Sequence, residues 1–92
     1  GLKYKNLVSG AVSGINLEGV FVEIGSVPNS DFVKSLVELN KASEIVIDPR
    51  TQSSSVPGIW AVGDVSDVKY KQNNIAVGDA VKAILNIYEY PQ

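Results

Sequence analysis

Residues Val56-Pro57-Gly58-Ile59-Trp60-Ala61-Val62-Gly63-Asp64 form the stretch on which the reading of this chain turns. Val56-Pro57-Gly58 fits a turn, with proline fixing φ and glycine free to take φ > 0. Ile59-Trp60-Ala61-Val62 then reads as a short buried strand that stops at Gly63-Asp64. Gly63 has no Cβ, so a ligand can approach the backbone closely there. Asp64 offers a carboxylate that accepts hydrogen bonds from sugar hydroxyls, and its charge strengthens them. Ligands of open α/β sheets sit at such carboxyl ends of strands. Taken as a dipeptide, Gly-Asp favours a plain turn, because it is common in loops. Trp60 either stacks on a cofactor or packs in the core, and an aromatic in a short buried strand favours packing.

Downstream of this stretch, the spacing predicts a helix over about 75–89. Val77, Ala80, Val81, Ile84, Leu85 and Tyr88 recur at i, i+3, i+4, i+7, i+8 and i+11, a one-face apolar stripe. Tyr88 and Tyr90 end it and read as packing or partner contacts. Lys71 is able to meet a phosphate, although a solvated lysine is the plainer reading. Asp64, Asp67 and Asp79 form no obvious general acid–base pair.

Upstream, Glu44-Ile45-Val46-Ile47-Asp48 reads as a strand ended by Pro49, followed by a polar loop over 50–55. Phe32, Val33, Leu36, Val37 and Leu39 recur at helical spacing, which predicts a short helix from 31 to about 40. Asn29 or Ser30 is placed to cap it, and Asp31 puts negative charge on its first turn. Val20-Phe21-Val22-Glu23-Ile24-Gly25 is apolar on both faces apart from Glu23, as expected of a strand covered on two sides. Residues Tyr4 to Val12 scatter β-formers around Gly10 and read as a loose hairpin or edge strand.

Ninety-two residues make one small domain at most, and so short a chain buries only about 60–65 % of its unfolded surface. With 45 % hydrophobic and 20 % charged residues, the composition is too apolar for a disordered tail. A net charge of −2 gives no basic surplus for nucleic-acid binding. The lack of His and Cys argues against a transition-metal site and removes any disulfide or thiol chemistry. No apolar run approaches the roughly 20 residues of a membrane span, so a cytoplasmic location is the default expectation. The chain has no Met and starts at Gly1. That reads as a piece of a longer polypeptide, the alternative being removal of an initiator Met.

The stretch 56–64 resembles the second FAD motif of two-dinucleotide-domain flavoproteins, T-x-x-P-G-hydrophobic-aromatic-A-x-G-D. Tyr70-Lys71-Gln72 and then Ala76, Gly78, Ala80 and Ala83 resemble the Y-(K/R)-Q-…-A-x-G-x-G-x-x-A-A segment that follows it in one family. That family comprises the thioredoxin reductases and the flavoprotein subunit of alkyl hydroperoxide reductase. Gly19-Val20-Phe21-Val22-Glu23-Ile24-Gly25-Ser26-Val27-Pro28-Asn29 resembles its G-x-F-x-x-I-G-x-x-P-N segment. The resemblance implies an α/β fold, namely the C-terminal part of a Rossmann-like FAD/NAD(P)-binding flavoprotein, incomplete by itself. It implies that 1–29 end the NAD(P)H-binding domain and that 30–92 form the C-terminal segment of the FAD-binding domain. It further implies that Gly63 and Asp64 hold the ribityl chain of FAD. Lys71, Gln72 and Asn73 then lie at the flavin ring, against which the helix N-terminus points.

Asn73 and Asn74 depart from the family's small or apolar residues at that turn, Ala80 stands where Gly is common, and Val77 where Ala is common. The Asn pair either tunes the flavin or simply faces solvent or caps the helix. No G-x-G-x-x-G turn and no C-x-x-C pair occurs in the chain, so the NAD(P)H site and the redox centre are expected elsewhere in a parent protein. The expected function is a non-catalytic piece of an FAD-dependent NAD(P)H:disulfide oxidoreductase. Its expected partners are the remainder of that flavoprotein, a thioredoxin-like or peroxiredoxin-system disulfide protein, and a second copy by self-association. The alternatives are a fragment of a thioredoxin-reductase-like ferredoxin–NADP reductase, or a free-standing, non-catalytic, self-associating domain.

Overall fold

A computed structural model describes residues 1–91; Gln92, the last position of the expected FAD-domain segment, lies outside the described residues. The N-terminal part is a hairpin of β1 (Leu2–Lys5) and β2 (Val12–Ile15), antiparallel with Leu2 opposite Ile15 and Lys5 opposite Val12. Asn6 closes the turn: its side-chain oxygen accepts the Val8 N–H at 2.9 Å and the Ser9 N–H at 3.1 Å. Gly10 follows at φ +74°, a conformation that glycine adopts without steric cost.

Val20–Gly25, expected as a strand covered on both faces, forms no strand and lies exposed, with Phe21 98 % accessible. The reason is pairing. A strand needs a neighbour for its N–H and C=O groups, and no segment of the described chain runs alongside this one.

The helix expected over 31–40 is also cut short. A 3-10 turn spans Asp31–Val33, followed by a single α-type bond from the Val37 N–H to the Val33 carbonyl at 3.1 Å. Short helices nucleate poorly, and Leu39 is instead drawn into an antiparallel bridge with Ile45. Ser30 does not cap this turn. Its hydroxyl donates to the Ser43 carbonyl at 2.5 Å, and the residue is fully buried.

The core forms where the middle segments cross. Val37, Ile45, Ile47 and Ala61 are buried, with Val33, Leu39, Val56, Ile59, Val65 and Val68 packed around them. The expected strands at 44–48 and 59–62 are reduced to isolated bridges: Ile45 with Leu39 and Ser66, Ile47 with Ser54, and Trp60 with Ser53. Gln52 is completely buried at φ +65°, and its Nε2 donates to the Ala61 carbonyl at 3.1 Å. The turn at 56–59 is as expected, with Gly58 at φ +91° and the Ile59 N–H donating to the Val56 carbonyl at 3.3 Å.

Helix α1 (Asn73–Glu89) begins two residues before its expected start. Its apolar stripe does not face the chain. Val77, Val81, Ile84, Leu85 and Tyr88 are exposed, whereas Asp79 and Ala83 are buried. Polar contacts dock the inner face: Trp60 Nε1–H donates to Asn86 Oδ1 at 2.9 Å, and Lys82 Nζ donates to the Pro49 carbonyl at 2.8 Å. Tyr90, just past the helix, meets Trp60 edge-on with centroids 5.2 Å apart, so Trp60 takes the packing role. No helix among the described residues is long and apolar enough to cross a membrane.

The molecule is extended, 64 × 26 × 22 Å with a radius of gyration of 19.4 Å, against about 12 Å for a compact chain of this length. Its accessible surface is 7562 Å², whereas a compact monomer of this mass exposes about 5,200 Å².

Candidate functional site

At the end of the 59–62 segment the chain enters a 3-10 turn, Gly63–Val65, and the turn packs against the start of α1. Gly63 takes φ +78°. A Cβ at this position would lie 3.6 Å from the Ala76 Cβ, an ordinary contact, so backbone conformation rather than crowding makes the position one for glycine. The turn leaves Asp64 exposed, and among the described residues its carboxylate makes no hydrogen bond or ion pair.

Across from Asp64 runs the segment leading into α1. Gln72 is the residue before the helix, extended at φ −137° and ψ 149°, and no side chain caps the helix start. The first intrahelical bond runs from the Ala76 N–H to the Gln72 carbonyl at 2.9 Å. The N–H groups of Asn73, Asn74 and Ile75 therefore precede the ladder and are free to meet a ligand. Partial positive charge collects at such a terminus.

Asp64, Lys71, Gln72, Asn73, Asn74 and Ile75 line one open cleft of about 490 Å³. Four of the five residues singled out from the sequence thus come together, and the fifth, Gly63, immediately precedes Asp64 on the wall. Asn74 and Ile75 join them simply by continuing the same segment. The Asn pair does not cap the helix: both residues belong to its first turn and are exposed.

Lys71 behaves as neither solvated nor free. Its ammonium lies 2.6 Å from Glu44 Oε2 and donates to the Ser66 carbonyl at 2.5 Å. Glu44 is held below its ordinary 4.5 first by a hydrogen bond from Asn40 and then by Lys71, so it is ionised at neutral pH. Local sequence carries no sign of this partner, because Glu44 reaches Lys71 only through the fold. Asp67, one of the carboxylates weighed from the sequence, has a structural role: its Oδ1 accepts the Ile47 N–H at 3.1 Å.

The donor set suits a cofactor with a polyol chain and an electron-rich ring. A carboxylate acceptor stands on one wall, with unpaired backbone donors and amide side chains on the other.

Comparison with known proteins places the chain in a class. Solved structures that resemble the chain include thioredoxin reductases, α/β oxidoreductases, with matching sequence. That of T. acidophilum is 41 % identical with a TM-score of 0.84, covering 95 % of this chain and 29 % of that one. That of Lactococcus lactis is 34 % identical with a TM-score of 0.81, covering 96 % and 29 %.

Residues 2–80 match the family described as pyridine nucleotide-disulphide oxidoreductase, and the chain belongs to it. Among curated relatives, the F subunit of alkyl hydroperoxide reductase from Staphylococcus aureus strain Mu50 is 46 % identical over 90 residues. The match covers 98 % of this chain and 18 % of that protein. The chain therefore spans less than a fifth of the length of such relatives.

Proposed function

We propose that this chain is the C-terminal segment of an FAD-dependent NAD(P)H:disulfide oxidoreductase of the thioredoxin reductase type, and that it is not catalytic alone. In this reading residues 1–29 leave the NAD(P)H-binding domain and residues 30–92 complete the FAD-binding domain. The observation that carries it is the convergence of Asp64 and the uncapped start of α1 on one cleft.

FAD bound there supplies the hydride and electron chemistry. Gly63 lets the cofactor chain pass close to the backbone, and Asp64 accepts hydrogen bonds from its ribityl hydroxyls. Gln72 and Asn73 would line the ring, and the N–H groups of Asn73 to Ile75 would favour negative charge at its edge. Lys71 lines the same wall while anchored to Glu44. NAD(P)H and the redox-active thiols belong to the parent outside these residues. The parent acts on a thioredoxin-like or peroxiredoxin-system disulfide protein, as the names of its relatives suggest, and works in the cytoplasm.

The surface supports the same reading. The excess over a compact monomer, about 2,400 Å², is the size of a large protein interface. It is rich in apolar side chains on α1 and around Val20–Val27. The remainder of the parent, a second copy, or both would cover it.

The test is to express the chain together with its upstream coding sequence. The longer protein should carry two Gly-rich dinucleotide turns and purify with stoichiometric FAD, and Asp64→Ala should weaken that binding at least about tenfold. Absence of flavin from the longer protein overturns the proposal. So does tight stoichiometric FAD binding by the 92 residues alone.

A further inference from the structure

We propose that Glu44 is a positioning residue for the cofactor cleft: by holding Lys71 it ties the two walls of the cleft to each other. The proposal rests on the reading of that cleft as a flavin site. The chain of contacts is continuous. Glu44 Oε2 meets Lys71 Nζ at 2.6 Å. The same ammonium donates to the Ser66 carbonyl. Ser66, fully buried, returns both its N–H and its hydroxyl to the Gly63 carbonyl, at 3.0 and 2.6 Å. One end of this chain is the residue before Gln72, on the α1 wall; the other is the residue before Asp64, on the opposite wall.

Glu44 is itself fixed. Its Oε1 accepts from Asn40 Nδ2 at 2.8 Å, and its own N–H donates to Asn40 Oδ1 at 2.9 Å. The next residue, Ile45, is stitched to the 63–67 turn by its N–H to the Val65 carbonyl at 2.8 Å and by the Asp67 N–H to its carbonyl at 3.0 Å. Isolated surface ion pairs contribute little. This one differs because both side chains are largely covered, at 29 % and 20 % exposure for Lys71 and Glu44, and because each carries a further hydrogen bond. Two of the three ammonium donors of Lys71 are spent on the protein, so its main task is to hold the segment before α1 rather than to grip the cofactor.

The experiment uses the FAD-loaded parent flavoprotein with Glu44→Gln, Lys71→Met and the double variant, measuring the FAD dissociation constant and the visible circular dichroism of the bound flavin. Glu44→Gln should weaken FAD binding about tenfold and alter the flavin dichroism, and Glu44→Asp should restore part of both. The double variant should be no weaker than Lys71→Met, since both changes break one contact. Lys71→Met keeps the Asn40–Glu44 contacts and carries the same test should Glu44→Gln fail to accumulate. Wild-type affinity and dichroism in Glu44→Gln, or losses that multiply in the double variant, overturn the proposal. Asp64→Ala separates the two levels. If it weakens FAD binding while Glu44→Gln does not, only this inference falls; if it too binds like wild type, the flavin reading of the cleft falls with it.

Discussion

Trp60 and Asn86 are joined across the domain, the indole Nε1–H donating to the amide oxygen at 2.9 Å. This bond pins the end of α1 to the segment that leads into Gly63-Asp64. Trp60 is the only tryptophan in the chain, so its emission reports whether α1 is docked. Asn86→Ala leaves a half-buried donor without its acceptor. It should cost about 1–2 kcal/mol of stability and shift Trp60 emission to the red in a denaturant titration. An unchanged midpoint and spectrum would show that the bond does not hold the helix.

Gly63→Ala tests the backbone rather than the space around it. The added methyl meets only Ala76, at 3.6 Å, but alanine at φ +78° is strained by about 1–2 kcal/mol. The expected outcome is a lowered unfolding midpoint together with weaker FAD binding in the parent. A midpoint equal to wild type would mean that the turn relaxes to a negative φ.

Asp64→Ala should behave in the opposite way. Asp64 is exposed and forms no bond within the described residues, so its loss should change stability by less than about 0.5 kcal/mol while FAD affinity falls. A large destabilisation of the apo protein would recast Asp64 as structural.

Glu44 carries a pH signature. Its folded-state carboxyl lies below the ordinary 4.5, so the unfolded chain binds its proton more readily than the folded one. The contribution to stability is complete above pH 4.5 and is lost as pH falls through the lower folded value. In Glu44→Gln this part of the acid-side slope should disappear; an identical slope in the variant would remove Glu44 from the account.

What the sequence disclosed and what it hid divide along the reach of the interactions. The Pro57-Gly58 turn and helix α1 depend on near neighbours, and both lie where local chemistry puts them. Val20–Gly25 has the composition of a strand, but strand formation depends on a partner that local composition cannot supply. Leu39 has the spacing of a helix and is claimed by Ile45 instead. In the cleft, Asp64 and the segment from Lys71 to Asn73 were legible from one motif and its downstream continuation. Glu44 was not, because its link to Lys71 exists only after the 38–48 and 63–71 segments have met. Helical periodicity located the stripe on α1 but not its direction, since an apolar face signals a neighbour without saying which chain segment provides it.

The inward face of α1 combines small and polar residues, with Ala83 and Asp79 buried there, and its polar contacts fix register. Apolar surfaces attract without direction, and a helix resting on one slides readily. A one-residue slide advances a helix by about 1.5 Å and turns it by about 100°. On the inner face such a slide carries Asn86 away from Trp60 and Lys82 away from the Pro49 carbonyl at once. Alignment is thus set by the far end of α1, where nothing meets the cleft, so that the free N–H groups at its other end arrive at one height and one angle.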